Sequence, residues 1–401
     1  MGGIVIVGAG QAGAALAAKA RALGYGGAIT LIGNETAPPY QRPPLSKAYL
    51  LGDMPAERLW LRAPDFYAEN QIDLRLGVAV RAVDPVAKTV DLGGAVLAYD
   101  HLVLATGSTP RRLPAAIGGA LAGVYTVRSL ADVDAMRGEF HAGRSVVIVG
   151  GGYIGLEAAA VARKLGLAVH VIEAAPRILQ RVAAQETSAY IAAMHREKGV
   201  QIHEGASLER ILGDTRATGV RLADGREIAA DFVIVGVGVT PNADLAIGAG
   251  LVIDNGIATD DMGRTSDPFI WAAGDCASFP HQGGRIRLES VGNAIDQAEA
   301  VAANIMGANA PYAAKPWFWS DQYDCKLQIA GLNTGYDSVV TRGPDGGAIS
   351  FWYYQGDSLL AVDAMNDPRG YMVGKRLIEG GKSPAKSAAA DLAVPVKDLL
   401  G

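Results

Sequence analysis

Two segments of this chain repeat one arrangement of strand, glycine turn, helix and strand-end acid, and that repetition constrains the fold more than any other feature. Ile4 to Val7 is a β-branched apolar run leading into Gly8-Ala9-Gly10-Gln11-Ala12-Gly13, then an alanine-rich helical stretch from Ala14 to Leu23. Ser145 to Val149 leads likewise into Gly150-Gly151-Gly152-Tyr153-Ile154-Gly155 and a helical stretch from Leu156 to Leu165. In each, the first glycine permits a tight turn, the second lets backbone approach a pyrophosphate, and the third lets helix pack on strand. The helix N-terminus then faces the phosphates. A lone match of this kind is weak evidence, but two complete units in one chain are rarely accidental.

Each unit continues into a second strand that ends in an acid. Ala28 to Ile32 is followed by Gly33, Asn34 and Glu35, with Glu35 lying 35 − 13 = 22 positions past the last glycine. Either Asn34 or Glu35 can reach a ribose hydroxyl, and charge favours Glu35. Ala168 to Ile172 ends at Glu173, 173 − 155 = 18 positions past the last glycine. A carboxylate there accepts from the free 2′-hydroxyl of NADH and repels the 2′-phosphate of NADPH, so NADH is the expected partner of the second fold. Arg177 and Arg181 stand nearby; they fit either a phosphate contact or a solvent-facing helix.

Composition excludes several other classes. A chain of 401 residues divides into roughly two or three domains, and 51 glycines suit folds that bring backbone close to phosphates. A net charge of −5 argues against general nucleic-acid affinity. No run approaches the ~20 apolar residues of a membrane span, and the N-terminal residues lack the regions of a signal peptide, so a cytoplasmic location is expected. Cys276 and Cys325 are too far apart for a CxxC pair and read as plain thiols. The histidines show no metal-ligand spacing, and no metal is expected.

Further segments resemble the flavoprotein reductases with two dinucleotide-binding domains, of the glutathione reductase type. Val103 to Arg111, VLATGSTPR, resembles that family's first crossing between domains, and Val233 to Asn242, VIVGVGVTPN, its return. Thr265 to Cys276 resembles the segment whose aspartate, here Asp275, binds the FAD ribityl chain. Within this superfamily Pro39 to Leu50, Gly150 to Ala160, Arg287 to Ala298 and Pro316 to Asp324 resemble the NADH-dependent ferredoxin reductases of the putidaredoxin reductase type, nearly end to end.

The resemblance implies an α/β fold with two Rossmann-like domains of glutathione reductase type plus a C-terminal α+β domain. The implied bounds are 1–110 and 243–316 for FAD, 111–242 for NADH, and 317–401 for the C-terminal domain, the expected ferredoxin-docking region. The FAD set is Gly8, Gly10, Ala12, Gly13, Asn34, Glu35, Arg42, Lys47, Val80, Ala105, Thr106, Gly107, Arg128, Asp275 and Val291. The NADH set is Gly150, Gly152, Tyr153, Ile154, Gly155, Glu173, Gly236, Val237 and Gly238. Lys47 is implied to sit beside the reactive flavin nitrogen and to pair with Glu157, the two forming the catalytic pair, with Pro44 in the same pocket. Val80 reads equally as strand core. Tyr153 either gates the nicotinamide pocket or packs between domains. A helix from about Asn293 to Met306 would turn its N-terminus to the flavin, and Glu289 nearby would tune its potential or simply end a strand.

Disulfide reductases of this superfamily need a CxxC pair, and the peroxidases, oxidases and coenzyme A disulfide reductases use a cysteine in an LSC segment. Here that segment reads Leu45-Ser46-Lys47. Without a thiol relay, electrons are expected to leave to a docked [2Fe-2S] ferredoxin serving an oxygenase. Trp319 is a candidate electron exit or an ordinary core aromatic. Arg285, Arg287, Lys315 and Lys326 are candidate docking cations, and Glu299 stands where the family often has arginine. The expected activity is that of a ferredoxin–NAD(+) reductase; an NADH oxidase and an apoptosis-inducing-factor-like flavoprotein are the alternatives.

Overall fold

The computed structural model describes residues 2–344 and 347–401, which divide into two compact units. The first comprises Met1–Gln41, Ala56–Thr109 and Val239–Pro316; the second comprises Arg42–Pro55, Pro110–Gly238 and Trp317–Gly401.

In the first unit a five-stranded parallel sheet runs in the order Ile270–Ala272, His101–Leu104, Ile4–Val7, Ile29–Ile32, Ile72–Arg75. All four residues of Ile4–Val7 are buried, as a central parallel strand covered on both faces requires. Ile4 and Ile6 face Leu16, Ala17 and Ala20 of helix Gln11–Ala22 and Ala298, Val301 and Ala302 of helix Val291–Ile305. Alanines on both helices allow them close to one another and to the sheet. Val5 and Val7 face the other way, toward Val83, Val90 and Tyr99 beneath a three-stranded antiparallel sheet. Each such buried Ile or Val contributes about 1.5–3 kcal/mol relative to exposure.

The second unit repeats the arrangement. Its parallel sheet runs Gln201–Glu204, Ala168–Glu173, Ser145–Val149, Phe232–Val235, Val124–Tyr125. Helix Tyr153–Lys164 packs on it. The same unit holds an antiparallel five-stranded sheet in the order Trp317–Gln322, Cys325–Gly331, Ser358–Met365, Ile349–Gln355, Ser338–Arg342. Helix Pro368–Glu379, capped by Asp367, covers one face of it through Val373 and Leu377 against Trp352 and Val362.

The helices begin earlier than their apolar patterns suggest, at Gln11, Tyr153 and Val291, because the glycine turns and the Ser290 cap supply the first helical residues. Val80 lies outside any strand, half-buried against the Val5 and Val7 cluster. Residues 42–55 belong to the second unit because Pro43–Ser46 and Ala48–Leu51 pack on helix Tyr153–Lys164. No helix of the described residues is long and apolar enough to cross a membrane.

Candidate functional site

The two glycine turns are near copies. Gly8 has φ +118° and Gly150 φ +108°, a region that side chains rarely adopt. Gly8 N donates to Ile32 O at 2.8 Å and Gly150 N to Ile172 O at 2.8 Å, tying each turn to its second strand. A Cβ on Gly8 would collide with Ala105 O, and one on Gly150 with Gly236 O. Likewise a Cβ on Gly13 would strike Gly8 O and one on Gly155 would strike Gly150 O. Gly10 and Gly152, by contrast, have nothing within 4 Å of a Cβ position. That open space at a helix N-terminus is the cradle a pyrophosphate needs.

In the first unit, Ala105 to Gly107 lie on the Gly8 turn and are clamped to Asn242. Thr106 Oγ1 donates to Asn242 O at 2.6 Å, Asn242 Nδ2 donates to Thr106 O at 2.9 Å, and Asn242 N donates to Gly107 O at 2.9 Å. Ala12 approaches Gly274, whose Cβ would stand 3.0 Å from Ala12 Cβ, so Asp275 is brought beside the turn. Asp275 accepts from Ser108 Oγ at 3.0 Å. Gln297, which carries no motif in the sequence, accepts from Gly274 N at 2.9 Å and holds this loop to helix Val291–Ile305. At the second strand's end Tyr40 OH donates to Glu35 at 2.6 Å, while Asn34 is exposed.

In the second unit Lys47 Nζ meets Glu157 at 2.7 Å, with side chains 18% and 4% exposed. Glu157 also accepts from Ser46 Oγ at 2.5 Å and from Ser320 Oγ at 2.6 Å. Burying an ion pair is costly unless its remaining sites are bonded, and these hydroxyls supply the bonds. Arg42 donates to Arg128 O at 2.7 Å, so two of the expected flavin contacts are neighbours. Tyr153 packs on the Phe318 ring at 4.7 Å. Burial, chiefly, pushes the Tyr153 phenol well up, and its hydroxyl is buried without a partner.

Glu173 is held by both oxygens, accepting from Gly151 N and Ala175 N at 2.8 Å each. Glu204, not anticipated from sequence, stands opposite Glu173 in the strand register and accepts from Ile178 N at 2.9 Å. Arg177 donates to Ala184 O and Gln180 O within its own loop. Arg181 lies 3.5 Å from a Cβ position on Gly238. Ile154 and Val237 remain 42% and 38% exposed, an apolar surface beside the Gly150 turn.

Trp319 stacks on Trp317 at 5.4 Å, and both line a groove of about 570 Å³ with Asp321, Lys326 and Tyr371. Among the other docking candidates, Arg285 donates to Thr259 O at 2.8 Å, and Arg287 pairs with Glu289 at 2.5 Å. Glu299 pairs with Lys19 at 2.9 Å.

Duplicated turns of this geometry, each with room for a pyrophosphate, define a protein built on two dinucleotide-binding folds. Residues 2–298 match the family described as pyridine nucleotide-disulphide oxidoreductase, and residues 317–400 match reductase C-terminal. The chain belongs to the pyridine nucleotide-disulphide oxidoreductase family. It is 43% identical over 393 residues to rhodocoxin reductase of Rhodococcus erythropolis, covering 97% of this chain and 92% of that protein. It is 42% identical over 409 residues to putidaredoxin reductase of Pseudomonas putida, covering 99% and 96%. The crystal structure of the covalent putidaredoxin reductase–putidaredoxin complex matches with a TM-score of 0.96 at 42% identity, covering 100% of this chain and 98% of that one.

Proposed function

We propose that the protein is an FAD-dependent NADH:ferredoxin oxidoreductase that passes single electrons to a [2Fe-2S] ferredoxin serving a bacterial monooxygenase or dioxygenase. The observation that carries this reading is Lys47. A largely buried ammonium, ion-paired with the buried Glu157, occupies the segment where thiol-dependent relatives carry sulfur. The two cysteines offer no substitute. Burial, the main cause in both, pushes the Cys276 thiol up and the Cys325 thiol up to about 12, so neither forms a thiolate at neutral pH. The similarity to rhodocoxin and putidaredoxin reductases supports a redox-protein acceptor.

Bound FAD would supply the chemistry that converts one hydride from NADH, which carries two electrons, into two single-electron transfers. The residues assigned to it are the Gly8–Gly13 turn, Ala105–Gly107, Asn34, Glu35 and Asp275, within the proposed domain 1–110 and 243–316; Lys47, Val80, Arg42, Arg128 and Val291 complete the set. In domain 111–242 the Gly150–Gly155 turn and Gly236–Gly238 hold NADH, and Glu173 accepts from its ribose. Arg177, spent on carbonyls of its own loop, is poorly placed to offset that carboxylate, which supports NADH over NADPH. Lys47 would offer positive charge to a bound flavin, and Glu157 holds that charge in position. The domain 317–401 carries the docking role, with Trp319 as the electron exit and Lys326 as a cation toward an acidic partner. A reaction that draws on NADH and a soluble ferredoxin suits the cytoplasm.

Purified protein, NADH and a set of ferredoxins test the assignment, with ferredoxin-dependent cytochrome c reduction followed beside oxygen uptake. Cytochrome c reduction that requires a ferredoxin is expected. NADH consumption matched by oxygen uptake and indifferent to every ferredoxin would overturn it in favour of an oxidase.

A further inference from the structure

Glu157 is the end of a buried polar chain that runs across three elements of the second unit. Ser320 Oγ lies 2.6 Å from Glu157, Gln322 Nε2 lies 3.0 Å from Ser320 Oγ, and His195 Nε2 lies 2.7 Å from Gln322 Oε1. Tyr323 OH stands 3.4 Å from His195 Nδ1. Ser320 and His195 are wholly buried, and Gln322 is 1% exposed. Ser320 and Gln322 alternate on strand Trp317–Gln322, so they share a face.

The direction of every bond in this chain follows from the charge at its end. A carboxylate only accepts, so Ser320 spends its one proton on Glu157 and accepts from the Gln322 amide. The Gln322 carbonyl oxygen is thereby turned to His195, whose Nε2 must carry the proton. Nδ1 is left to accept from Tyr323. Burial pushes the His195 imidazole down to about 4, so the ring stays neutral at physiological pH. Charged or titratable groups near the chain include Lys47 and Tyr153 at the Glu157 end, with Asp363 acting on Tyr153, and Arg163 near Tyr323.

Tyr323 gives an independent sign that this end matters. It is the first residue of a two-residue hairpin between Gln322 and Cys325, with φ +57°, a place where glycine fits without strain. A tyrosine there carries backbone strain that glycine would avoid. In return its ring meets His195 edge-on at 5.1 Å. Apolar residues of similar volume would fill this space without desolvating four polar groups.

The geometry points to Ser320, Gln322 and His195 as positioning residues, a one-way hydrogen-bond relay that fixes the Glu157 carboxylate and, through it, the Lys47 ammonium that serves the flavin. This rests on the role given to Lys47 above. In Ser320→Ala, Glu157 keeps Ser46 and Lys47 as its donors but loses the anchor on its other oxygen; in Gln322→Leu and His195→Leu, Ser320 still donates to Glu157 but loses the amide that fixes its hydroxyl. Lys47 then loses its defined position, and the charge offered to the reduced cofactor weakens.

The experiment uses the holoenzyme with Ser320→Ala, Gln322→Leu and His195→Leu. Ser320→Ala, which removes the charge-assisted bond of the relay, is expected to lower the flavin midpoint potential and to slow flavin reduction at saturating NADH about tenfold, and Gln322→Leu and His195→Leu to shift both readings the same way by a smaller factor. KM for NADH stays unchanged, because none of these residues belongs to the NADH set. Ser320→Thr and His195→Gln keep the required donors and are expected to restore both readings. Nitrogen NMR of the His195 ring is expected to show hydrogen on Nε2 and none on Nδ1. The opposite tautomer, or wild-type potentials in all three cut variants, overturns the relay. Lys47→Met separates the two levels: if it also leaves potential and reduction unchanged, the role of Lys47 fails; if it alone lowers them, only the relay fails.

Discussion

The Lys47 ammonium and the Glu157 carboxylate meet at 2.7 Å although 110 positions separate them in sequence (157 − 47 = 110). Each is largely out of water, so each depends on the other. Glu157→Leu is expected to leave a largely buried ammonium with Pro43 O as its acceptor and to cost up to about 3 kcal/mol of stability. Lys47→Met combined with Glu157→Leu replaces the whole pair by apolar groups and is expected to recover most of that loss. Flavin reduction by NADH would stay slow in the double variant. Denaturant melts and stopped-flow reduction of the same samples check the separation; equal stability of the single and double variants would contradict it.

The glycine turns predict two different failures. Gly13→Ala drives a methyl into Gly8 O, so the fold itself is expected to lose stability. Gly10→Ala meets nothing within 4 Å, so the apoprotein should melt like wild type while losing FAD, whose pyrophosphate needs that space. Thermal melts of apoprotein and flavin-to-protein absorbance ratios distinguish the two.

Glu173 is expected to set the cofactor preference. Glu173→Arg is expected to reverse the preference for NADH over NADPH, and Glu173→Ala to relax it, both read as the ratio of kcat/KM values. Because Gly151 N and Ala175 N also lose their acceptor, the alanine variant should weaken NADH as well. Unchanged selectivity would place the ribose elsewhere.

Two buried groups give opposite pH dependences. Burial raises the Asp363 carboxyl from 3.8 to about 6, against the hydroxyls of Thr187 and Tyr353 that lower it, with Glu186 adding to the rise. The folded state therefore binds the extra proton, and stability is lost as pH rises through that window, by about 3 kcal/mol. His195 is lowered from 6.5 to about 4, so the unfolded state binds the proton and stability is lost as pH falls through that window. The two nearly cancel in wild type. Asp363→Asn should make the melting temperature fall more steeply on acidification from neutral to about pH 5, and His195→Gln should make it rise. Parallel curves for all three proteins would refute the assignment.

The covalent order of the chain determined its two dinucleotide-binding folds by itself. Strand, turn and helix signals within Ile4–Ala22 and Ser145–Lys164 are local, since the glycines answer steric demands set by neighbours a few positions away. Lys47 was legible for the same reason, as a departure within a short segment, and its pairing with Glu157 followed from family resemblance. Other features had no local signature. Gln297 reaches Gly274 across 23 positions, Ser320 reaches Glu157 across 163, and His195 reaches Gln322 across 127. A serine, a glutamine and a histidine in isolation are compatible with any surface. Only the tertiary structure decided that they are buried in one line. Burial forces every donor to find an acceptor, and the carboxylate at the end of that line sets the direction of the whole chain.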